Sequence, residues 1–530
     1  MRSPMKVALL AAVVLALLVA TGLWTYAHRP QGPAVKDVKV LFVLSPEEGI
    51  ILHDDLAREL ASGFEEWYYG NFGSRVRVEL AFEDFGQLER EFARGTLDFD
   101  VLLAGTLDLI EGYEDLFVPY NSTEKEELLD LVPNGTYYNC PIMEPDVPTP
   151  RWYAWCLYAP CLLYDPSAIG PSSLPSSWDE LAEFCLRLEN KVVVPDTTGD
   201  PYSKGVAVSI YAYEAWALGN ESLGWARAWN NSVFIWASSG NMTDEPWVSA
   251  LEVVAGRYAV VLCPDIIAYH MVIEAGYSWL AIRHLNGTFL SPCPMAIRAR
   301  PGRTDLAKAF LDFVLSEEGQ SIVARYVMPI RPDVETRDPV VSPFSPGFPV
   351  IKEFNETFLD MASGIIRDYH ACWLVKPYRA LKRAFWWVKK ANETRLANEN
   401  ATKYYRWAFG NFTYMADYLN RTYVDQVYNQ TGNWTDKTVF LRKWEDDAKK
   451  AYNRAVECAM ASIESAKKTA GTGMGELPVM RPGASCSRAS PWPTTPRQPR
   501  TAAGPLGHPC PIPTAPSGGG RIRRSAQVLS

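Results

Sequence analysis

Ten residues of this chain could hold a small polar molecule: Ser45, Gly105, Thr106, Thr197, Thr198, Tyr202, Ser203, Ser238, Ser239 and Asp265. Most are hydroxyls, joined by one carboxylate and one glycine that bares its backbone. Each follows an apolar run or opens a helical pattern. A strand that ends in a small polar loop and enters a helix leaves backbone N–H groups free beside those hydroxyls. Such a place accepts an oxyanion or the hydroxyls of a sugar. In open α/β sheets, ligands gather at that edge. Plain turn and cap chemistry accounts for each residue equally well, so the surrounding elements must decide.

The stretch Lys191–Leu218, KVVVPDTTGDPYSKGVAVSIYAYEAWAL, shows how such residues are positioned. Val192 to Val194 is a β-branched run that predicts a buried strand. A polar loop from Pro195 to Pro201 follows, and a helical pattern begins near Ser203. Upstream, Val38–Leu44 predicts a strand. Ile51–Trp67 predicts an amphipathic helix with Leu52, Leu56, Leu60, Phe64 and Trp67 on one face. Val76, Val78 and Leu80 alternate as a second strand, Phe85–Phe92 is a short helix, and Phe99–Leu103 is a third strand. This βαβαβ order starts an open parallel sheet.

Glu111–Pro150 reads as irregular. Trp152–Tyr164, WYAWCLYAPCLLY, reads as one or two strands interrupted by Pro160. A helix starts at Pro175–Glu180 with Ser177 at its cap. A second α/β unit then runs through helix Ser222–Trp229, strand Val233–Trp236, helix Val248–Val254 and strand Tyr258–Leu262. Two such units joined by a crossing segment predict two lobes around a cleft, a preferred place for small ligands.

The 530 residues carry a net charge of −9 and no basic patch, which argues against a nucleic-acid partner. Arg2 and Lys6 precede an apolar run from Val7 to Trp24, long enough to span a bilayer as an uncleaved anchor, with a cleaved signal and secretion as the alternative. Thirteen N-x-S/T sequons fit a glycosylated extracytoplasmic surface. None of the ten cysteines forms a C-x-x-C pair, so a zinc ribbon is not expected. Outside the cell some of them could pair, in an order that spacing leaves open. No H-E-x-x-H, G-x-S-x-G or Walker loop is present, and the six histidines are scattered. Neither an enzyme nor a cofactor is expected, and no metal site is assigned.

The segment 305–320, DLAKAFLDFVLSEEGQ, with the return Pro329-Ile330-Arg331-Pro332, resembles the closing segment of extracellular solute-binding proteins of ABC importers. It is most similar to the iron(III)-type branch of the class II periplasmic-binding-protein fold. Pro175–Leu181 and Gly256–Val260 resemble two further family patterns. The resemblance implies an α/β fold of two lobes with a central cleft, spanning 38–334. Lobe 1 would cover about 38–150 with a return after about 263, and lobe 2 about 165–262. It implies capture of a small polar solute (an oxyanion, a sugar or a ferric species) and delivery to an ABC permease, and the N-terminal apolar run adds attachment to a membrane through that helix. A surface structural or sensory protein built on the same fold is the alternative.

Iron(III)-type relatives hold metal with tyrosines and carboxylates. Here Tyr68-Tyr69 and Tyr137-Tyr138 are pairs, but neither lies where the resemblance would place ligands, and only Tyr202 is near the opening loop. Trivalent iron wants several anionic oxygens, so neutral donors point to a polar or anionic solute instead. Among the 18 tryptophans, Trp236 near Ser238 could stack on such a ligand, or pack in the core. Leu306, Ala309, Phe310, Phe313 and Val314 form a packing face, and Gly319 reads as a helix C-cap or turn. Beyond a Pro-rich linker at 335–351, a helical extension is expected over 352–468. Its Leu441, Trp444, Ala448, Ala451, Ala455, Cys458 and Ser462 form a small-residue seam, which reads first as packing on neighbouring helices. The tail from about 469 to Ser530, rich in Pro, Gly and Arg, is expected to be disordered.

Overall fold

The computed structural model describes residues 35–45, 53–96, 98–107, 110, 112–138, 140–198, 201–299, 303–351, 366–413 and 434–472. The apolar run Val7–Trp24 and the tail beyond 472 lie outside the described residues. Among the described residues, no helix is long and apolar enough to cross a membrane.

The first sheet grows from β1 (Lys36–Ser45), a run apolar on both faces. Val38, Val40 and Phe42 are buried on one side, with Leu56, Leu60 and Phe64 of helix α1 (Asp54–Phe72) in the same cluster. Leu41 and Val43 are buried on the other, with Leu88 and Phe92 of α2 (Phe85–Arg94). Burial on both faces is what a parallel strand between helices requires. β1 pairs in parallel with β2 (Val76–Asp84) and β3 (Val101–Ala104). The stretch read as irregular holds a short helix, α3 (Lys125–Leu131), and a small ladder of β4 (Thr136–Tyr137) with β5 (Cys140–Pro141).

The aromatic crossing segment is two strands, β6 (Trp152–Tyr158) and β7 (Pro160–Tyr164), and they belong to different sheets. Proline lacks a ladder donor, and here it opens a strand where the chain leaves one sheet for the other. Helices α4 (Trp178–Arg187), α5 (Pro201–Leu218), α6 (Glu221–Ser238), α7 (Pro246–Val254) and α8 (Asp265–Ile273) accompany the second sheet. Its strands, in spatial order, are β11 (Ala281–Arg283), β7, β10 (Val260–Pro264), β8 (Val192–Pro195) and β9 (Asn241–Thr243). The chain then returns as β12 (Ser291–Ile297), between β3 and β6, giving the first sheet the order β2-β1-β3-β12-β6.

The expected strand Val233–Trp236 is instead the end of α6. Trp225, Trp229, Ser232 and Trp236 recur every three or four residues and are all buried. That period is helical, and it overrides the β-branched composition of a short run. Asn220 caps the helix by accepting the Leu223 N–H at 3.0 Å. The strand in this region is β9, just beyond. Ser177 does sit at the N-cap of α4, but its hydroxyl donates to Asp179 and makes no cap bond.

The 305–332 segment folds as α9 (Thr304–Leu315) and α10 (Glu317–Val323). Gly319 is neither C-cap nor turn. It lies inside α10, where a Cβ would stand 2.0 Å from the Phe313 carbonyl oxygen, so only glycine lets the two helices meet. Ser316 caps α10 through the Gly319 N–H. Gln320, fully buried, donates to the carbonyls of Trp155 and Val314 and accepts the Ile330 N–H. The motif is a structural clasp on β6.

The chain divides into two compact units. The first holds both sheets and runs to Lys382, with 413–450. Within it, Tyr369 packs on Trp229 and Trp444, and His370 on Trp236. The second comprises Arg383–Phe412 and the chain from Ala451. There Ser462 donates to the Ala401 carbonyl at 2.7 Å, and Phe412 of α11 (Glu399–Phe412) packs on Tyr452. From Trp444 to Ser462 the small-residue seam is buried, as packing on neighbours requires.

Candidate functional site

Two backbone crossovers join the sheets, one at Ala159 and one between β11 and β12. Asp265, the first residue of α8, fastens both. Its N–H donates to the Ala159 carbonyl at 2.8 Å, and its Oδ1 accepts the Ala159 N–H at 2.9 Å. Its Oδ2 lies 2.9 Å from His284 Nε2, on the returning chain. The side chain is fully buried, and burial pushes its carboxyl up against the opposing pull of His284. Asp265 thus has both oxygens engaged in holding the two crossovers together.

The strand-end hydroxyls divide into two groups. Thr106 follows β3 and Thr197 follows β8, one in each sheet. Both are buried, and neither hydroxyl has a hydrogen-bond partner among the described residues. A buried hydroxyl without a partner costs free energy, on the order of 1–3 kcal/mol, so such a pair at strand ends is an available set of donors. Ser203 is buried in the first turn of α5, two residues before Gly205, which faces Tyr158 and Pro160 at the first crossover. The start of α5 is therefore beside the first crossover. Gly105 directs its carbonyl to the Cys293 thiol at 3.3 Å.

The other hydroxyls are engaged locally. Thr198 is exposed and closes a turn on the Asp196 carboxylate through its N–H and hydroxyl. Ser238 donates to the Phe234 carbonyl and Ser239 to that of Trp236, at the C-terminal end of α6; Ser239 also meets the Tyr378 hydroxyl at 2.8 Å. Trp236 is fully buried against His370 and presents no stacking face. Ser45 ends β1 in register with Asp84, and Tyr202 lies in the first turn of α5; their side chains lie outside what is described. Tyr137 donates to the Pro343 carbonyl and packs on Tyr138 and Phe344, while Tyr69 is exposed on α1.

A cluster that the scattered histidines did not reveal joins the lobes. His53, at the N-cap of α1 with φ 59°, meets His270 and Glu274 around the end of α8. Glu274 Oε1 accepts the N–H groups of Asp55 and Leu56 at 3.0 and 3.3 Å, capping α1 from the other lobe. Its Oε2 lies 2.8 Å from His53 Nδ1 and 2.9 Å from His270 Nδ1. His53 Nε2 lies 2.8 Å from the Ile266 carbonyl, which fixes a proton on that nitrogen. Burial opposes the charge of Glu274, yet the close imidazoles of His270 and His53 outweigh it and hold the carboxyl well below its usual range. Three such groups within 4.8 Å of one another could also surround a metal ion. One of them precedes a helix and two are spaced i, i+4 on another helix, and only the i, i+4 pair was a signal in sequence.

Residues 114–347 match the model of a family described as bacterial extracellular solute-binding protein. No curated protein matches the chain. Among solved structures, the chain is similar to iron-bound HitA from Pseudomonas aeruginosa at 17% identity and TM-score 0.45, covering 63% of this chain and 98% of that one. It is similar to the ferric binding protein from Campylobacter jejuni at 20% identity and TM-score 0.45, covering 62% and 98%. A third is the periplasmic binding protein AfuA from Actinobacillus pleuropneumoniae with exogenous fructose-6-phosphate bound, at 17% identity and TM-score 0.46, covering 64% and 98%.

Proposed function

We propose that this chain, whose residues 114–347 carry the match to bacterial extracellular solute-binding proteins, captures a small polar solute between its lobes and delivers it to an ABC permease. The observation that carries the ligand reading is the pair of buried hydroxyls of Thr106 and Thr197, which have no partner among the described residues and stand at strand ends of the two sheets. A molecule meeting both would bridge the lobes. Ser203 and the N-terminal N–H groups of α5 add donors suited to an oxyanion or a sugar. Bare iron(III) is disfavoured, because Asp265 is fully engaged and Tyr137 is bonded elsewhere. Tethering through Val7–Trp24 and glycosylation at the exposed Asn121, Asn134, Asn220, Asn286 and Asn400 belong to the same proposal.

Calorimetry of the purified chain against oxyanions, sugars, polyamines and ferric complexes tests it. A polar solute should bind, and Thr106→Ala and Thr197→Ala should each weaken it about tenfold, the worth of one hydrogen bond. Ferric binding that survives both changes, and Ser203→Ala, but is lost in Tyr202→Phe would refute the choice of donors.

A further inference from the structure

We infer that Cys156 and Cys293 form one disulfide in the mature protein, and Cys161 and Cys263 a second. The inference rests on the extracytoplasmic location proposed above, since disulfides persist in oxidising compartments. The pairing comes from strand register alone. Cys156 on β6 stands directly opposite Cys293 on β12 in the first sheet. Cys161 on β7 stands directly opposite Cys263 on β10 in the second. Facing residues of antiparallel strands have Cα atoms about 4.5–5.5 Å apart, within the roughly 4.4–6.8 Å that a disulfide spans.

All four thiols are buried, and within each pair the two side chains are close enough to hydrogen-bond. Cys140, by contrast, faces Tyr137. Burial holds the thiols of Cys156 and Cys161 well above their ordinary range, so oxidation belongs to folding, before the sheets close. In each step one S–S bond forms and two S–H bonds are lost. The two electrons and two protons reduce the disulfide of a thiol–disulfide oxidoreductase to its dithiol.

The placement has a mechanical consequence. Cys156 and Cys161 flank the crossover at Tyr158–Ala159–Pro160. Each staple ties two strands of one sheet, and neither crosses between sheets. The lobes would be stiffened internally while the hinge stays free to bend.

The test is mass spectrometry of the chain purified from an oxidising compartment, alkylated under denaturing conditions with and without prior reduction. Without reduction, Cys156, Cys161, Cys263 and Cys293 should resist alkylation, and peptide mapping should find the links 156–293 and 161–263. Links in another order, such as 156–161, would overturn the inference. If the native chain is fully reduced, refolding it in a glutathione redox buffer separates the two claims. The same two links there would keep the pairing and refute the location; other links or none would refute the pairing.

Discussion

Glu214 offers a quantitative test of the second lobe's interior. It lies on α5 with its side chain fully buried. Asn231 donates to Oε1 at 2.5 Å, and Arg227 Nε stands 3.2 Å from Oε2 without hydrogen-bonding alignment. Burial raises the carboxyl from 4.5 to about 7, against the opposing pull of Arg227. As pH rises through 4.5 the unfolded chain releases this proton, and the folded protein keeps it until about 7. The folded state binds more protons in that window, so stability falls across it. Moving the carboxyl from 4.5 to about 7 corresponds to at most about 3 kcal/mol of stability. Glu214→Gln keeps the oxygen that Asn231 bonds and removes the charge. It should be near neutral at pH 4 and stabilise the protein by up to about 3 kcal/mol at pH 8. Urea unfolding at both pH values reads this out. A variant that is equally or less stable than the parent at pH 8, relative to pH 4, would refute the burial argument.

Two further substitutions probe the hinge. Asp265→Ala removes the acceptor of the Ala159 N–H and the partner of His284, and should cost about 2–4 kcal/mol. Asp265→Asn, which still accepts that N–H, should retain most of this; equal losses in urea unfolding would contradict the fastening role. Glu274 is held below its usual carboxyl range in the folded protein, so its contribution is present above the unfolded value of about 4.3 and lost as pH falls below it. Parent stability should therefore drop more steeply below about pH 4 than that of Glu274→Ala, and parallel acid profiles would sink the assignment.

Elements with strong periodicity were legible in the sequence, and spatial pairings were not. The apolar face of α1 and the β-branched cores of β1 and β8 specify themselves within a few residues. The closing segment 305–332 carried the family resemblance, although the reason for Gly319 is a carbonyl of the preceding helix that no pattern exposes. Val233–Trp236 was misread because four apolar residues fit either period; the buried Trp225, Trp229, Ser232 and Trp236 over a longer window fix the helical one. The site divides the same way. Thr106 and Thr197 were nameable as strand-end hydroxyls. Asp265 was nameable too, but its engagement with Ala159 and His284 depends on the fold. His53, His270 and Glu274 meet only because the lobes meet.

The central claim is that a solute bridges two lobes hinged at Ala159 and the β11–β12 return. Small-angle scattering of the intact chain, with and without the tightest solute found by calorimetry, tests it most directly. The radius of gyration should fall on binding, and the fall should disappear in the double variant Thr106→Ala/Thr197→Ala at a solute concentration that saturates the parent. A bound solute that leaves the scattering curve unchanged would contradict the account.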